Sequence, residues 1–467
     1  DEAYDFMGKA FVTTKNYRQA LATMEKIKHK NLRIYTAMQR LSFYRGLELY
    51  ENTLFEEAIE FFDYSLKYGD YDAQLKARAM YWKGECFYRT GRIDEANDLY
   101  YKFINAHGAA ELSEFNLCHY NLGYTRFNVK DYNKAYGWFL KFTSLANHED
   151  KNILGDAYNR LGDCLYVDRN FKPAIEAYDK AIKASEAIGD YSMLQKGICL
   201  GLTKDNNSKI EQLQQLISKY PKSIYCANAY YEIARAYVGM EQIKEAIYNY
   251  KVVKERYPKS SLASKAMLQL GLLYYNNGEY DNSMAFYKRV INEYPATPEA
   301  MDALAGLRNV YMERGDFDGY MSYTSTLGGF ARVDMQERDS LMFLSAQRLY
   351  LRGEKSQAKE ALKKYLAAFA DGRFVTGANY YLGDCQYVEQ DYEGALLSYV
   401  YVAQQPRSIY TEDALLRSGE LYYKAGKYLE SCDMFLRLEE EAEVETNKTE
   451  AIIGQMRCQQ KLGDLEK

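Results

Sequence analysis

The chain has 467 residues, of which 47% are hydrophobic and 27% are charged, and its formal net charge is −5 at pH 7. This composition excludes a disordered chain, and the negative charge argues against sequence-independent binding to nucleic acid or anionic lipid. The length exceeds what one ordinary core can hold, so several domains or an array of repeats are predicted. No apolar stretch approaches the ~20 residues that a membrane-spanning helix needs.

The N-terminus, DEAYDFMGKA, has no start methionine, no basic segment and no apolar signal core. We therefore expect that a signal was removed or that the chain was cut from a longer protein.

A small residue recurs along the chain at intervals of 35 to 39 residues, and we call its place the anchor position. It is occupied by Ala20, Ala58, Ala96, Ala135, Ala174, Ala246, Ser283, Ala358, Ala395 and Ser431. Lys209 and Tyr320 fit the same spacing with less suitable residues. These positions define twelve repeats, which we number in chain order.

Each repeat has the apolar spacing of two helices. A small residue lies twelve positions before most anchors, and a large apolar residue lies four positions after them. Apolar residues at intervals of three and four indicate helix rather than strand. Glycines such as Gly91 and Gly278 fall between the two apolar runs, where a helix is expected to end. Each repeat is therefore predicted to be a helix, a short turn and a second helix.

This pattern resembles the tetratricopeptide repeat over nearly the whole chain, although the usual repeat is 34 residues and this one is about 37. The resemblance implies an all-α fold, an α-α superhelix or solenoid of about twelve helix-turn-helix repeats plus a terminal half-repeat. A finer resemblance lies in YPKSIYCANAYYEIARAYVGMEQIKEAIYNYKVVKERYPKSSLASKAMLQLG, from Tyr220. Tyr-Pro-x-Ser before a new helix is similar to repeats of bacterial envelope scaffolds, namely the outer-membrane assembly lipoprotein and the TolA-binding periplasmic protein.

Two departures from the pattern suggest where the array changes. Asn206 and Lys209 replace an aromatic and a small residue, so their repeat should pack less tightly. Gly328 and Gly329 fall where a second helix should close, which predicts a bend. The expected divisions are 1–324 (repeats 1–9, degenerate near 190–222), 325–334 (bend or linker) and 335–467 (repeats 10–12 and half of a thirteenth). Because a half-repeat leaves an apolar face uncovered, we expect the chain to continue in a longer protein.

No motif for catalysis, a cofactor or a metal stands out, so we predict no enzyme activity, no cofactor and no metal site. DFDGYMS resembles the start of a calcium loop but lacks its closing glutamate. The eight cysteines are scattered singly, and four share one small position in the first helix: Cys86, Cys164, Cys199 and Cys385. They are predicted to be buried core residues rather than disulfides. Eight free thiols favour a reducing compartment, against the envelope resemblance.

In the family that the chain resembles, first helices line the concave face of the superhelix. That resemblance places a set of aromatic and acidic residues on this face in repeats 2 to 5. The residues predicted to contact a partner are Phe43, Tyr50, Tyr81, Glu85, Tyr88, Tyr120, Tyr124, Phe127, Asp163 and Tyr166. An aromatic groove suits a protein or peptide segment. The alternative is that the tyrosines pack only on their neighbours. Binding of a C-terminal carboxylate is disfavoured, because Glu85 and Asp163 would repel it.

The resemblance therefore implies a non-enzymatic scaffold that holds a protein segment in its groove, in the periplasm or cell envelope, without binding nucleic acid and without inserting this region into a membrane. Two alternatives remain open. The chain could be the accessory region of a larger enzyme whose catalytic domain lies elsewhere, or a cytoplasmic adaptor.

Overall fold

The computed structural model describes residues 16–145 and 150–463, together with residues 2 and 6. These residues form 24 α-helices and three short 3₁₀ turns, and none of them lies in a strand. The predicted all-α architecture is confirmed. The chain divides into two compact units between Val252 and Val253, inside one helix.

Unit 1 ends at Val252 and contains the second helix of repeat 1, then the helix pairs of repeats 2 to 6, then repeat 7 as far as the boundary. Its helices are α1 (Tyr17–Glu25), α2 (Leu32–Glu51), α3 (Phe55–Lys67), α4 (Ala73–Arg89), α5 (Ile93–Ile104), α6 (Glu114–Asn128), α7 (Tyr132–Ser144), α8 (Lys151–Val167), α9 (Phe171–Ala184), α10 (Gly189–Leu202), α11 (Asn206–Lys219) and α12 (Cys226–Gly239). Helix α13 (Ile243–Arg256) contains the boundary. The 3₁₀ turns are Ala109–Glu111 and Glu186–Ile188.

Unit 2 begins at Val253 and contains repeats 8 to 12 and one further helix. Its helices are α14 (Leu262–Asn276), α15 (Tyr280–Glu293), α16 (Pro298–Glu313), α17 (Phe317–Thr326), α18 (Met335–Leu351), α19 (Lys355–Ala368), α20 (Val375–Val388), α21 (Tyr392–Gln404), α22 (Thr411–Lys424), α23 (Tyr428–Glu441) and α24 (Glu445–Leu462). A 3₁₀ turn, Gly328–Ala331, follows α17.

The two helices of a repeat approach closely where the small positions meet. A methyl group added to Gly162 on α8 would lie 2.5 Å from the ring of Tyr178 on α9. The same close approach joins Gly123 to Phe139, at 2.6 Å. The small anchor residues named above have exposed fractions of 0%. Small residues at one face and large ones opposite therefore set the separation of each helix pair, as the sequence pattern predicted.

Within each unit, first helices contact the first helices of neighbouring repeats. Such pairs include α2 with α4 and α4 with α6 in unit 1, and α14 with α16 and α18 with α20 in unit 2. These contacts place first helices of neighbouring repeats side by side, and hydrogen bonds from Tyr120 and Tyr124 on α6 to Asp156 on α8 join a further pair of unit 1.

Repeat 9 departs from this arrangement. Its anchor residue, Tyr320, is 3% exposed, and its second helix, α17, has only 10 residues. Helix α17 contacts α16 and α18 much less than α15 and α19 contact their own neighbours. The large side chain of Tyr320 at the anchor position accompanies this looser packing. The bend predicted at residues 325–334 stays a prediction.

Within residues 16–145 and 150–463, no helix combines the length and the apolar character that crossing a bilayer requires.

Candidate partner-binding surface

The ten residues predicted to contact a partner lie on α2, α4, α6 and α8 of unit 1. Eight of them are half-buried: Tyr50, Glu85, Tyr88, Tyr120, Tyr124, Phe127, Asp163 and Tyr166.

Phe43 and Tyr81 differ from the other eight, because their exposed fractions are 0% and 2%. The ring of Phe43 lies 5.9 Å from that of Phe62 on α3, and the ring of Tyr81 lies 5.3 Å from that of Phe103 on α5. Both side chains therefore fill the space between the helices of their own repeat. The expectation that they lie on the partner-binding surface is corrected, since they are core residues.

The position eight residues before the anchor, which we call the last inner position, usually carries an aromatic residue that packs across the turn between the two helices. In unit 1, Tyr50 meets Phe55 with ring centroids 5.5 Å apart, and Phe127 meets Tyr132 at 5.3 Å. The same contact recurs in Tyr166–Phe171, Tyr275–Tyr280, Tyr387–Tyr392 and Tyr423–Tyr428. One side of each ring thus stabilises the turn, as the packing alternative predicted, and the other side stays partly accessible.

Tyr50 and Tyr88, which hold this position in repeats 2 and 3, also take part in hydrogen bonds to the next repeat. The hydroxyl of Tyr50 on α2 donates to Oε2 of Glu85 on α4, at 3.3 Å. The amide of Asn128 on α6 donates to the hydroxyl of Tyr88 on α4, at 3.0 Å. These hydrogen bonds join successive first helices and fix the spacing of the aromatic rings along the surface.

The carboxylate of Glu85 accepts hydrogen bonds from side chains on three other helices. Besides Tyr50, the hydroxyl of Tyr100 on α5 donates to Oε1 at 2.5 Å, and the amide of Asn121 on α6 donates to the same oxygen at 2.5 Å. Burial raises the pKa of the Glu85 carboxyl, although the hydrogen bond from Tyr100 opposes this. Burial and the Glu85 charge together raise the pKa of Tyr100 well above its usual value.

Arg160 on α8 joins two carboxylates of its own helix. Its Nη1 donates to Asp163 at 2.6 Å, and its Nη2 donates to Asp156 at 3.3 Å. The guanidinium carbon lies 5.4 Å from the ring centroids of both Phe127 and Tyr191. The cation is therefore held between aromatic rings and paired with acids, which is the arrangement that makes a partly buried arginine favourable.

Tyrosine hydroxyls occupy most of the remaining hydrogen-bond acceptor positions of the two carboxylates beside Arg160. Asp163 accepts from Tyr178 and Tyr191, each at 2.8 Å, and Asp156 accepts from Tyr120 at 2.9 Å and from Tyr124. Burial raises the pKa of the Asp163 carboxyl, and the Arg160 charge opposes this. These acids organise the surface, and few of their lone pairs remain for a ligand.

Unit 2 carries a second aromatic cluster, in which Phe343 and Tyr380 on first helices stack on aromatic residues of the connections. Phe343 stacks on Phe374 with centroids 4.8 Å apart, and Tyr380 stacks on Tyr410, also at 4.8 Å. Phe374 and Tyr410 belong to the connections that precede α20 and α22. Tyr410 ends the segment PRSIY, and the related PKSIY in unit 1 was the signal that could have revealed this position.

The described residues contain no group of three or more His, Cys, Asp or Glu side chains that could hold a metal ion. All eight cysteines are free, and seven of them are buried. Burial raises the pKa of the Cys86 thiol to about 12, so this thiol is protonated and unreactive at neutral pH.

The family model described as Tetratricopeptide repeat matches the chain in three forms. One matches residues 191–223, 228–260, 265–297 and 413–442, a second matches residues 43–110 and 343–408, and a third matches residues 155–188. Together these matches cover well over half of the chain. A comparison with curated proteins found no significant match.

Several solved structures are similar to this chain. The C-terminal part of a TPR repeat-containing protein from Cytophaga hutchinsonii is 17% identical, with a TM-score of 0.46, covering 56% of this chain and 99% of its own. YrrB, described as a TPR protein with an unusual peptide-binding site, is 18% identical, with a TM-score of 0.36 and coverage of 44% and 96%. PilW, described as a widely conserved type IV pilus biogenesis factor, is 16% identical, with a TM-score of 0.38 and coverage of 49% and 98%. These TM-scores are too low to support any argument about function.

The family assignment rests on the repeated helix pairs, their buried anchor residues and the matched segments. The chain belongs to the tetratricopeptide repeat family.

Proposed function

We propose that the chain is a non-enzymatic scaffold that holds a segment of a protein partner against the first helices of repeats 2 to 5. The observation that carries the proposal is a row of four half-buried aromatic side chains in one position of consecutive repeats: Tyr50, Tyr88, Phe127 and Tyr166. Rings of this size combine a large apolar area with little conformational freedom, which is why they dominate protein interfaces.

The surrounding contacts support this role by holding the rings in place. Tyr50 is fixed by Phe55 and Glu85, and Tyr88 by Asn128. Because the acids of this surface are saturated by internal donors, its free features are ring faces rather than charges. A partner segment that contributes apolar or aromatic side chains suits it better than a lysine-rich segment.

We further propose that the scaffold works in the bacterial cell envelope. The support is the resemblance of the Tyr-Pro-x-Ser segments to repeats of envelope scaffolds. The free cysteines, which favoured a reducing compartment, argue less strongly against this proposal because seven of the eight are buried. Buried thiols react slowly with oxidants and with one another whichever compartment surrounds them.

Site-specific photocrosslinking tests the proposed surface. Tyr88 and Tyr166 are changed one at a time to p-benzoylphenylalanine, and the full chain is irradiated in cells of the source organism. The control places the same residue at Tyr101 on α5, a second helix, where 55% of the side chain is exposed. We expect one protein to crosslink at both first-helix sites and not at Tyr101. Equal crosslinking at Tyr101, or none at Tyr88 and Tyr166, would contradict the proposal.

With the partner identified, Tyr88→Ala is expected to weaken binding by about 2 kcal/mol, about thirtyfold in Kd, if its ring fills a pocket of the partner. Cell fractionation of the source organism tests the compartment separately, and recovery of the chain with cytoplasmic proteins would contradict an envelope role.

A further inference from the structure

Repeat 6 lacks the small anchor residue and the aromatic last inner residue that repeats 2 to 5 have. Its anchor position holds Lys209 instead of alanine or serine, and its last inner position holds Gly201 instead of an aromatic residue such as Tyr50 or Tyr88. Lys209 is nevertheless 6% exposed. A charged residue at a core position of a stacked repeat needs a structural explanation, because burying an unpaired ammonium group is very costly.

The two departures compensate each other in space. A methyl group added to Gly201 would lie 2.7 Å from Cδ of Lys209 and 3.1 Å from its Nζ. The lysine stem thus runs beside position 201 and occupies the room in which a tyrosine side chain would begin. An alanine at 209 would leave this room empty, and a tyrosine at 201 would collide with the stem.

The ammonium group reaches the next repeat. Nζ of Lys209 lies 2.7 Å from Oε2 of Glu232 on α12, and the two side chains are 7% and 14% exposed. The other oxygen of Glu232 accepts from Nη1 of Arg235 at 2.8 Å. This ion pair joins repeats 6 and 7, as the hydrogen bond from Tyr50 to Glu85 joins repeats 2 and 3.

We infer that Gly201 and Lys209 form one compensating pair, which makes the contact between α10–α11 and α12 an ionic joint. The net stabilisation from such a joint is small, because desolvating two charges offsets most of their attraction, whereas burying an aromatic ring is a net gain. The inference does not depend on the proposed function.

A double-mutant cycle tests the compensation. Gly201→Tyr alone and Lys209→Ala alone are each expected to lower Tm, the first by collision and the second by leaving an empty space and an incomplete ion pair. Gly201→Tyr with Lys209→Ala restores the residue types of repeats 2, 3 and 5, and its Tm is expected to be higher than the sum of the two single losses predicts, because each change removes the packing defect of the other. Additive losses in the double variant would overturn the inference.

Hydrogen exchange tests the joint itself, with variants that keep the lysine stem or the glutamate shape. Lys209→Met and Glu232→Gln are each expected to speed amide exchange in α10 to α12 by about 100-fold. Exchange in α4 to α6 should stay unchanged in both variants. Unchanged exchange in α10 to α12, or an equal rise in both regions, would show that the ion pair is not a local joint. If either single variant of the double-mutant cycle fails to fold, Lys209→Met and Glu232→Gln still test the inference.

Discussion

Tyr100 and Glu85 lie 15 residues apart on the two helices of repeat 3, and the Tyr100 hydroxyl donates to the Glu85 carboxylate at 2.5 Å. The same relation at the same separation recurs in two other repeats, Tyr178 with Asp163 at 2.8 Å and Tyr399 with Asp384 at 2.9 Å. A half-buried acid on the first helix and a buried tyrosine on the second therefore form a hydrogen bond inside the repeat. The acid then has lone pairs left for donors from neighbouring repeats, so it couples the stacking of several helices.

The pH dependence of Glu85 follows from its burial. Its pKa in the folded chain is raised above the ordinary value of 4.5, so the folded state binds a proton more tightly than the unfolded state. The contribution of this group to stability is complete below about pH 4.5 and is lost as the pH rises through the folded-state pKa. We expect the Tm of Glu85→Gln, relative to wild type, to improve as the pH rises above about 4.5. A Tm difference that is constant over this range would contradict the raised pKa.

His119 is expected to make the stability depend on pH in the opposite direction, with a loss as the pH falls. It is 2% exposed, and its ring lies 5.0 Å from Phe115 and 5.9 Å from Trp138. Burial lowers its pKa below 6.5, although its hydrogen bond to the Phe115 carbonyl opposes this. Its contribution to stability is therefore present above about pH 6.5 and is lost as the pH falls through the folded-state pKa. Melting curves at several pH values should show a smaller acid-induced drop in Tm for His119→Phe than for wild type, and equal drops would refute the assignment.

Burial distinguishes the roles of two tyrosines on α4. Tyr81→Ala removes a core ring and is expected to lower the free energy of unfolding by about 3–5 kcal/mol. Tyr88→Ala removes a half-buried ring and is expected to cost about 1 kcal/mol. Thermal melting of the two variants, recorded together, checks this order. Equal losses would mean that Tyr88 is as much a core residue as Tyr81.

The close approach of helices in repeat 5 predicts a strong effect of one methyl group. Gly162→Ala would place a carbon 2.5 Å from the Tyr178 ring, and we expect a loss of about 1–3 kcal/mol from overpacking. Gly137 on α7 is the matched control, because a methyl group there would meet nothing within 4 Å. Gly137→Ala is expected to raise stability by up to about 1 kcal/mol through helix propensity. A stabilising Gly162→Ala would show that the helices separate at little cost.

The sequence alone determined the local architecture. Intervals of three and four between apolar residues predicted the helix pairs, and the turn glycines Gly91 and Gly278 do have positive φ angles of 81° and 75°. The anchor residues are buried as their small size and spacing predicted. These features are local, because helix periodicity, turn conformation and the pairing of two adjacent helices depend on residues within one repeat of about 37 positions.

Only the tertiary structure decided which first-helix side chains remain accessible. Phe43 and Tyr81 occupy positions that repeat spacing cannot tell apart from exposed ones, and their burial depends on how closely the second helix lies behind them. The donors of Glu85 come from α2, α5 and α6, and the partner of Lys209 comes from the next repeat. Spacing along one helix fixes the direction of a side chain, whereas its exposure and its hydrogen bonds are set by the positions of several other helices.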